Sequence, residues 1–105
     1  MMDVRLTEGS NGKEVPFKVG QTFTIALREN PATGYRWIFA QKGGPICSLL
    51  GDSFEPRTHL LGSPGVHEWH FRADAPGTAI VEMRLAREWD PNSATRSLLL
   101  RLHVT

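Results

Sequence analysis

Short stretches that alternate apolar and polar residues dominate the chain. Between residues 22 and 27 the apolar side chains fall at every second position, which is the period of a strand with one face in a core. Four later stretches repeat this alternation, and a weaker run precedes them. The expected inward-facing sets are Phe17 and Val19; Phe23, Ile25 and Leu27; Tyr35, Trp37 and Phe39; Trp69, Phe71 and Ala73; Val81, Met83 and Leu85; and Leu98, Leu100, Leu102 and Val104. The pattern predicts an all-β protein.

The strands can be placed from these runs and from the glycines and prolines between them. They are predicted near 15–19, 22–27, 35–39, 66–72, 78–86 and 97–104, with one more before Leu61. The stretch 43–61 is ambiguous, because 46–50 suits either a strand or one helical turn, while 57–61 suits a strand. Six or seven short strands predict an immunoglobulin-like antiparallel β-sandwich, with a five-stranded barrel as the alternative.

Composition limits the classes of protein that fit. A chain of 105 residues with 40% hydrophobic and 22% charged residues has the usage of a globular protein. It is long enough for one core and shows no repeat or linker, so residues 1–105 are expected to form a single domain. The net charge is +1 with both signs interspersed, which offers no basic face for nucleic acid or an anionic membrane.

The start of the chain bears on its compartment. Residues 1–4 lack the basic and then apolar stretch of a secretory signal, and no apolar run approaches the roughly 20 residues of a membrane span. The chain as written is therefore expected in the cytoplasm, or in the periplasm or outside the cell if a signal has been removed. The single cysteine, Cys47, has no partner for an internal disulfide and leaves the redox compartment open.

Catalytic and metal sites have little support in the sequence. Cys47 lies in an Ile-Cys-Ser-Leu-Leu context that suits a buried small hydrophobe better than a nucleophile paired with a histidine. His67 and His70 are three positions apart, which puts them on opposite faces of a strand, where they cannot share a metal. The carboxylates are scattered, so no acid–base pair stands out. We expect no catalytic residue, no metal and no cofactor.

Three connections between strands differ from ordinary turns, and the order of the strands places all three at the same end of the sandwich. In a sandwich whose successive strands run up and down, alternate connections emerge at the same end. The connections at 30–35, 62–65 and 87–92 are therefore expected at one end, and the plain Asp74-Ala75-Pro76-Gly77 turn at the other. Each segment taken alone suits a simple turn, but three unusual loops at one end of a rigid scaffold indicate a binding surface.

The composition of each connection suits contact with a partner. In Asn30-Pro31-Ala32-Thr33-Gly34-Tyr35, proline fixes one dihedral angle and glycine allows a sharp turn, which predicts a stiff, narrow loop. Gly62-Ser63-Pro64-Gly65 has no large side chain, so its backbone can approach another surface closely. Arg87-Glu88-Trp89 places a large aromatic beside an arginine, which is the composition of a binding hot spot. The alternative for Trp89 is that it folds back to cap the sandwich.

These three segments resemble motifs of one known family. Residues 30–35 resemble the Asn-Pro-Thr-Thr-Gly-Tyr/Phe loop of the chagasin family of cysteine-peptidase inhibitors, and residues 62–65 resemble its Gly-x-Gly-Gly loop. Residues 87–89 resemble its Arg-Pro-Trp loop. The resemblance runs roughly from Val15 to the end, and three motifs in order are far more specific than one.

The resemblance implies an immunoglobulin-like sandwich, not an enzyme, that binds a papain-like cysteine peptidase as a monomer. The peptidase-binding residues it implies are Asn30, Pro31, Ala32, Thr33, Gly34, Tyr35, Gly62, Ser63, Pro64, Gly65, Arg87, Glu88 and Trp89. Three of these depart from the family pattern: Ala32 replaces a threonine, Pro64 a glycine, and Glu88 a proline. The alternative function is a non-enzymatic binding module for a carbohydrate or a cell-surface partner.

Overall fold

The computed structural model describes residues 3–105 and folds them into eight strands. Their bounds are β1 Val4–Leu6, β2 Glu14–Phe17, β3 Thr22–Glu29, β4 Tyr35–Lys42, β5 Cys47–Pro56, β6 Gly65–Ala73, β7 Gly77–Arg87 and β8 Arg96–Val104. Three short 3-10 turns, at Glu8–Ser10, Pro31–Thr33 and Pro91–Ser93, complete the elements. Within 3–105, no helix is long and apolar enough to span a bilayer. Met1 and Met2, which are part of the segment that lacks the pattern of a secretory signal, lie outside the described residues.

The strands form two four-stranded sheets, in the orders β1-β3-β6-β5 and β2-β8-β7-β4. Pairing is antiparallel within β3-β6-β5 and within β8-β7-β4, while β1 runs parallel to β3 and β2 runs parallel to β8. The predicted β-sandwich is confirmed, and the five-stranded barrel is excluded. The structure has eight strands where the sequence predicted six or seven, and two of its strand pairs, β1–β3 and β2–β8, are parallel.

Aromatic side chains from both sheets fill the core. Phe23 stacks on Phe17 and on Phe71, with ring centroids 4.6 and 5.1 Å apart. Phe39 of the opposite sheet meets Trp69 and Phe71 edge to face, an arrangement that aromatic rings favour. The alternation predicted these contacts, because the inward-facing sets are buried or packed against the core. Two residues are exceptions: Val19 lies beyond β2 and is 46% exposed, and Tyr35 is only partly buried and lies outside the core cluster.

The ambiguous stretch 43–61 holds the main errors of placement. The strand predicted at 57–61 is wrong, because β5 spans Cys47–Pro56 and residues 57–64 form a loop. The register between β5 and β6 shifts between Leu49 and Gly51, and such a bulge breaks the alternation that marks a strand. The pattern also gave no sign of β1, whose three residues are too few to show a period.

The register of the sheets places three loops at one end of the sandwich. We call residues 30–34 the first loop, 57–64 the second and 88–95 the third. Glu29 is paired with Gly65 and Pro56 is also paired with Gly65, so the first and second loops leave adjacent strand ends. Tyr35 is paired with Arg87, which sets the third loop beside the first. The expectation that all three share one end is confirmed.

Gly65, the first residue of β6, sits where the chain leaves no room for a side chain. A Cβ at this position would overlap the carbonyl oxygen of Glu55 and lie 2.8 Å from the Cα of Pro56. Both obstacles are backbone atoms of the neighbouring strand, so they cannot rotate away. Gly65 therefore fixes the close approach of β5 and β6 at the base of the second loop.

We predict that Gly65→Ala lowers the free energy of unfolding by about 2 kcal/mol or more, because the new methyl group forces two paired strands apart. Urea denaturation measures this difference. Gly51→Ala is the matched control, since a Cβ there meets nothing within 4 Å on the same strand pair. Equal stability of the two variants would refute the packing argument.

Candidate functional site

The three loops touch one another, with the first loop in the middle. A Cβ built on Gly34 would lie 3.0 Å from the indole Cη2 of Trp89, so the third loop packs on the first. On the other side, a Cβ built on Gly62 would lie 3.3 Å from the Cβ of Ala32. The glycines let neighbouring loops approach at van der Waals distance. The result is one continuous surface made of three chain segments.

Hydrogen bonds within the first loop hold it as a compact turn. The side-chain oxygen of Asn30 accepts from the Ala32 N–H at 3.1 Å, and the Thr33 hydroxyl donates to the Asn30 carbonyl at 2.8 Å. The backbone N–H groups of Thr33 and Gly34 donate to the carbonyls of Asn30 and Pro31. Gly34 has φ +78°, a left-handed conformation that glycine adopts without strain. The predicted narrow turn is confirmed, and its stiffness stays a prediction.

The third loop contains a second copy of the same turn, which the sequence analysis missed. Asp90-Pro91-Asn92-Ser93 matches Asn30-Pro31-Ala32-Thr33 in chemistry: an Asx residue, proline, any residue, and a hydroxyl. The Asp90 carboxylate accepts from the Asn92 N–H at 3.1 Å, and the Ser93 hydroxyl donates to the Asp90 carbonyl at 2.6 Å. The first and third loops are thus closed by local hydrogen bonds rather than by burial.

Trp89 is exposed at the edge of this surface. Its side chain is 74% exposed, so it does not cap the sandwich interior. Glu88 lies 3.9 Å from Arg36 as an exposed ion pair, which partly neutralises the charge where the family has a proline. The Arg87 guanidinium lies 4.8 Å from the centroid of the Tyr35 ring. Arginine and tyrosine thereby tie the base of the third loop to β4.

The second loop is longer than the 62–65 segment that the sequence analysis singled out. Its tip carries Leu60 and Leu61, which are 77% and 105% exposed. Both leucines fall in the strand predicted at 57–61, so they were not recognised as part of the binding surface. The signal that could have identified them was a pair of adjacent leucines directly before a Gly-Ser-Pro-Gly turn. Two exposed leucines on one side of the first loop and an exposed tryptophan on the other give this end of the molecule an apolar rim.

The side chain of Ser63 points into the second loop, although the sequence predicted this residue on the peptidase-binding surface. Its side chain is buried, and its hydroxyl accepts from the Thr58 N–H at 3.2 Å and donates to the Pro64 carbonyl at 3.1 Å. The Pro64 carbonyl also accepts from the Arg57 N–H at 2.8 Å. Ser63 therefore holds the loop closed, and Gly65 belongs to β6. Of the predicted segment, only Gly62 and Pro64 lie on the outer side of the loop.

Comparison with known proteins agrees with this geometry. Residues 17–104 match the sequence model of the chagasin family of peptidase inhibitors, I42. Chagasin of Trypanosoma cruzi is 32% identical over 93 residues, which cover 84% of each chain. The chain belongs to the chagasin family. Amoebiasin-1 of Entamoeba histolytica is a further relative, 26% identical over 94% of this chain and 97% of its own.

Solved structures give the same fold. A cysteine protease inhibitor of Entamoeba histolytica, EhICP2, superposes with a TM-score of 0.87 over 97% of this chagasin-family chain and 95% of its own, at 24% identity. PbICP-C, whose structure was solved in complex with falcipain-2, superposes with a TM-score of 0.63 at 17% identity, over 99% of this chain and 92% of its own. At these identities the likeness shows the shared sandwich.

The fold of this chagasin-family chain buries Cys47 and separates the side chains of His67 and His70. Cys47 is buried at the end of the sandwich away from the three loops, and its thiol lies 3.5 Å from the Lys42 carbonyl. Burial, aided by the Asp74 carboxylate, raises the pKa of the Cys47 thiol to about 11. His67 points between the sheets while His70 bonds to Thr24 on the outer face. Within 3–105, no group of three or more potential ligands could hold a metal.

We predict that Asn30→Ala loosens the first loop, because the Ala32 N–H loses its acceptor at a cost of about 1 kcal/mol. Amide hydrogen exchange at Ala32 should become faster, by about fivefold for that cost. Asn30→Asp is the control, since it keeps an oxygen in the same place and should preserve slow exchange. Identical exchange in all three proteins would show that this bond does not hold the turn.

We predict that iodoacetamide leaves Cys47 of the folded protein unmodified at pH 8. The raised pKa keeps the thiol protonated, with a thiolate fraction of about one in a thousand at that pH, and burial blocks access. Mass spectrometry should show full alkylation only after denaturation. Alkylation of the folded protein at the rate of the unfolded chain would contradict the buried placement.

Proposed function

We propose that this chain is a reversible, tight-binding, competitive inhibitor of papain-like cysteine peptidases and acts as a monomer without enzymatic activity of its own. The three loops would enter and cover the active-site cleft of the peptidase. The observation that carries the proposal is the mutual packing of three locally stiffened loops at one end of the sandwich. Family membership and the names of the relatives support the same target class.

The chemistry of the target explains why a compact loop blocks it. A papain-like enzyme attacks with a thiolate paired with an imidazolium at the bottom of an open cleft. A peptide is attacked when its carbonyl reaches the thiolate in the right geometry. The first loop keeps its carbonyls in a 3-10 turn closed by the Thr33 and Gly34 N–H bonds. In this conformation it fills the cleft without offering an extended, cleavable segment.

Roles follow for the residues at the centre of the surface. Ala32 and Thr33 are exposed at the tip of the first loop and would lie over the catalytic pair. The Thr33 hydroxyl already donates to the Asn30 carbonyl and accepts from the Tyr35 N–H. Ala32 and Thr33 therefore need few new hydrogen bonds and contribute mainly shape. Because the turn is already ordered, little conformational entropy is lost on docking.

The flanking loops would hold the two walls of the cleft. Trp89 lies on one side of the first loop, and the second loop lies on the other. Leu60 and Leu61 add apolar contact area on the second side, and Arg87 can reach polar groups at the rim. The footprint is expected to bury about 800 Å² on each partner, the usual size for a complex of a protease with its inhibitor.

The alternative is a binding module for a carbohydrate or a cell-surface partner. Proteins that bind carbohydrate present several exposed aromatic rings on one face. Among residues 3–105, Trp89 is the one large aromatic side chain that is mostly exposed. Titration into papain with a chromogenic substrate separates the two functions. Absence of inhibition at micromolar concentration across several papain-like enzymes would favour the alternative.

We predict that Trp89→Ala weakens inhibition of papain by about 2 kcal/mol, or roughly 30-fold, because a hot-spot aromatic is lost. The melting temperature should hardly change, since the ring is exposed. Inhibition constants and thermal unfolding measure the two effects. Leu50→Ala is the control, because Leu50 is 53% exposed on β5 and outside the three loops. Unchanged inhibition by the Trp89 variant would remove the third loop from the proposed interface.

A further inference from the structure

A buried carboxylate lies directly beneath the first loop. Glu29 is the last residue of β3 and is only 8% exposed. One oxygen, Oε2, accepts from the backbone N–H of Trp37 at 2.9 Å. The other, Oε1, faces Nδ1 of His67 at 2.9 Å. No sequence motif marks Glu29, yet a carboxylate with both oxygens engaged in a protein interior needs an explanation.

The imidazole of His67 is held between two carboxylates. Its Nδ1 faces Glu29, and its Nε2 lies 2.6 Å from Oδ2 of Asp52 on β5. The ring stacks on Trp69 with centroids 3.9 Å apart and planes 9° apart, and Phe54 meets it edge to face. The side chain is 18% exposed. Glu29 from β3 and Asp52 from β5 are the charged groups in contact with the ring.

This network connects the strand ends that carry the first and second loops. Glu29 immediately precedes the first loop, and Trp37 lies three residues beyond its end at Gly34, so the Glu29–Trp37 bond joins both stems. A second bond, from the Trp37 indole N–H to the Arg28 carbonyl at 2.9 Å, reinforces the junction. His67 and Asp52 extend the chain of contacts to β6 and β5, which carry the second loop.

The protonation state of His67 decides how many of these bonds form. The imidazolium has two N–H donors and can donate to Glu29 and Asp52 together. The neutral ring has one donor, so its other nitrogen turns a lone pair towards a carboxylate. The charge on Glu29 is also left uncompensated in a buried place, which is costly. Loss of one proton therefore converts a fully bonded junction into a partly bonded one.

We infer that Glu29 and His67 are positioning residues for inhibition: they hold the stem of the first loop, and the imidazolium form of His67 holds it most firmly. Inhibition of a peptidase should consequently weaken once His67 loses this proton. The inference rests on the proposed function in one respect only, namely that the first loop is the part that enters the cleft.

The first test compares inhibition constants of the wild type and His67→Gln against papain at a series of pH values between about 5.5 and 8. The ratio of the two constants cancels the ionisation of papain itself. We expect His67→Gln to inhibit about tenfold more weakly at the lowest pH, with the ratio approaching one at the highest. Glu29→Gln should show the same loss at low pH. His70→Gln, on the outer face of the same strand, is the control and should inhibit like the wild type throughout.

Two results of this test would overturn the inference. One is a wild type and a His67→Gln variant that inhibit equally at every pH. The other is a ratio that differs from one but does not change with pH, since this would indicate structural loss alone. If the wild type itself fails to inhibit papain, the proposed function fails and the second test, which needs no peptidase, still decides whether the stem responds to His67.

The second test uses the wild-type protein alone. Nuclear magnetic resonance follows the ring nitrogens of His67 and the backbone amides of Ala32, Gly34 and Trp37 over the same pH range. We expect these amide shifts to change together with the shifts of the His67 ring nitrogens. Amide shifts that stay constant while the ring nitrogens shift would refute the coupling of His67 to the first loop.

Discussion

The compact turn of the first loop is the constraint on which the site depends. Asn30 and Thr33 close it with bonds of 3.1 and 2.8 Å, and these bonds need no burial to form. Because the turn is narrow, the second and third loops can pack on both of its sides, through Gly62 and Gly34. An extended first loop would separate its neighbours and would resemble a substrate. One local hydrogen-bond pattern thus sets the shape of the surface and, in the proposed function, keeps the loop from presenting a cleavable segment.

Alternation along the chain predicted most of the fold because most strands have one buried face. The pattern failed where its physical basis was missing. The bulge between Leu49 and Gly51 interrupts the period of β5, and the leucines at 60 and 61 then imitate a strand although they are exposed. β1 is only three residues long, which is too short to show an alternation. It also pairs in parallel with β3, so no hairpin turn in the sequence announces it.

Parity and short motifs located the three loops, but not the direction of every side chain. The exposed Trp89 follows the prediction, whereas the hydroxyl of Ser63 points inward to bond with Thr58. The Glu29, His67 and Asp52 contacts join three strands, and no sequence spacing reveals such a network. Residues whose role depends on local chemistry were thus accessible from the sequence, and residues whose role depends on tertiary pairing were not.

Amide hydrogen exchange of the chain, measured free and in complex with papain, would map where the peptidase docks. Docking through three stiffened loops predicts new protection confined to residues 30–34, 57–64 and 88–95, with the strands and the opposite end unchanged. Protection centred on the 74–77 turn, or along the outer face of either sheet, would contradict the account. The contrast is clear because the two ends of the sandwich are separated by the full length of the strands, within a molecule 42 Å long.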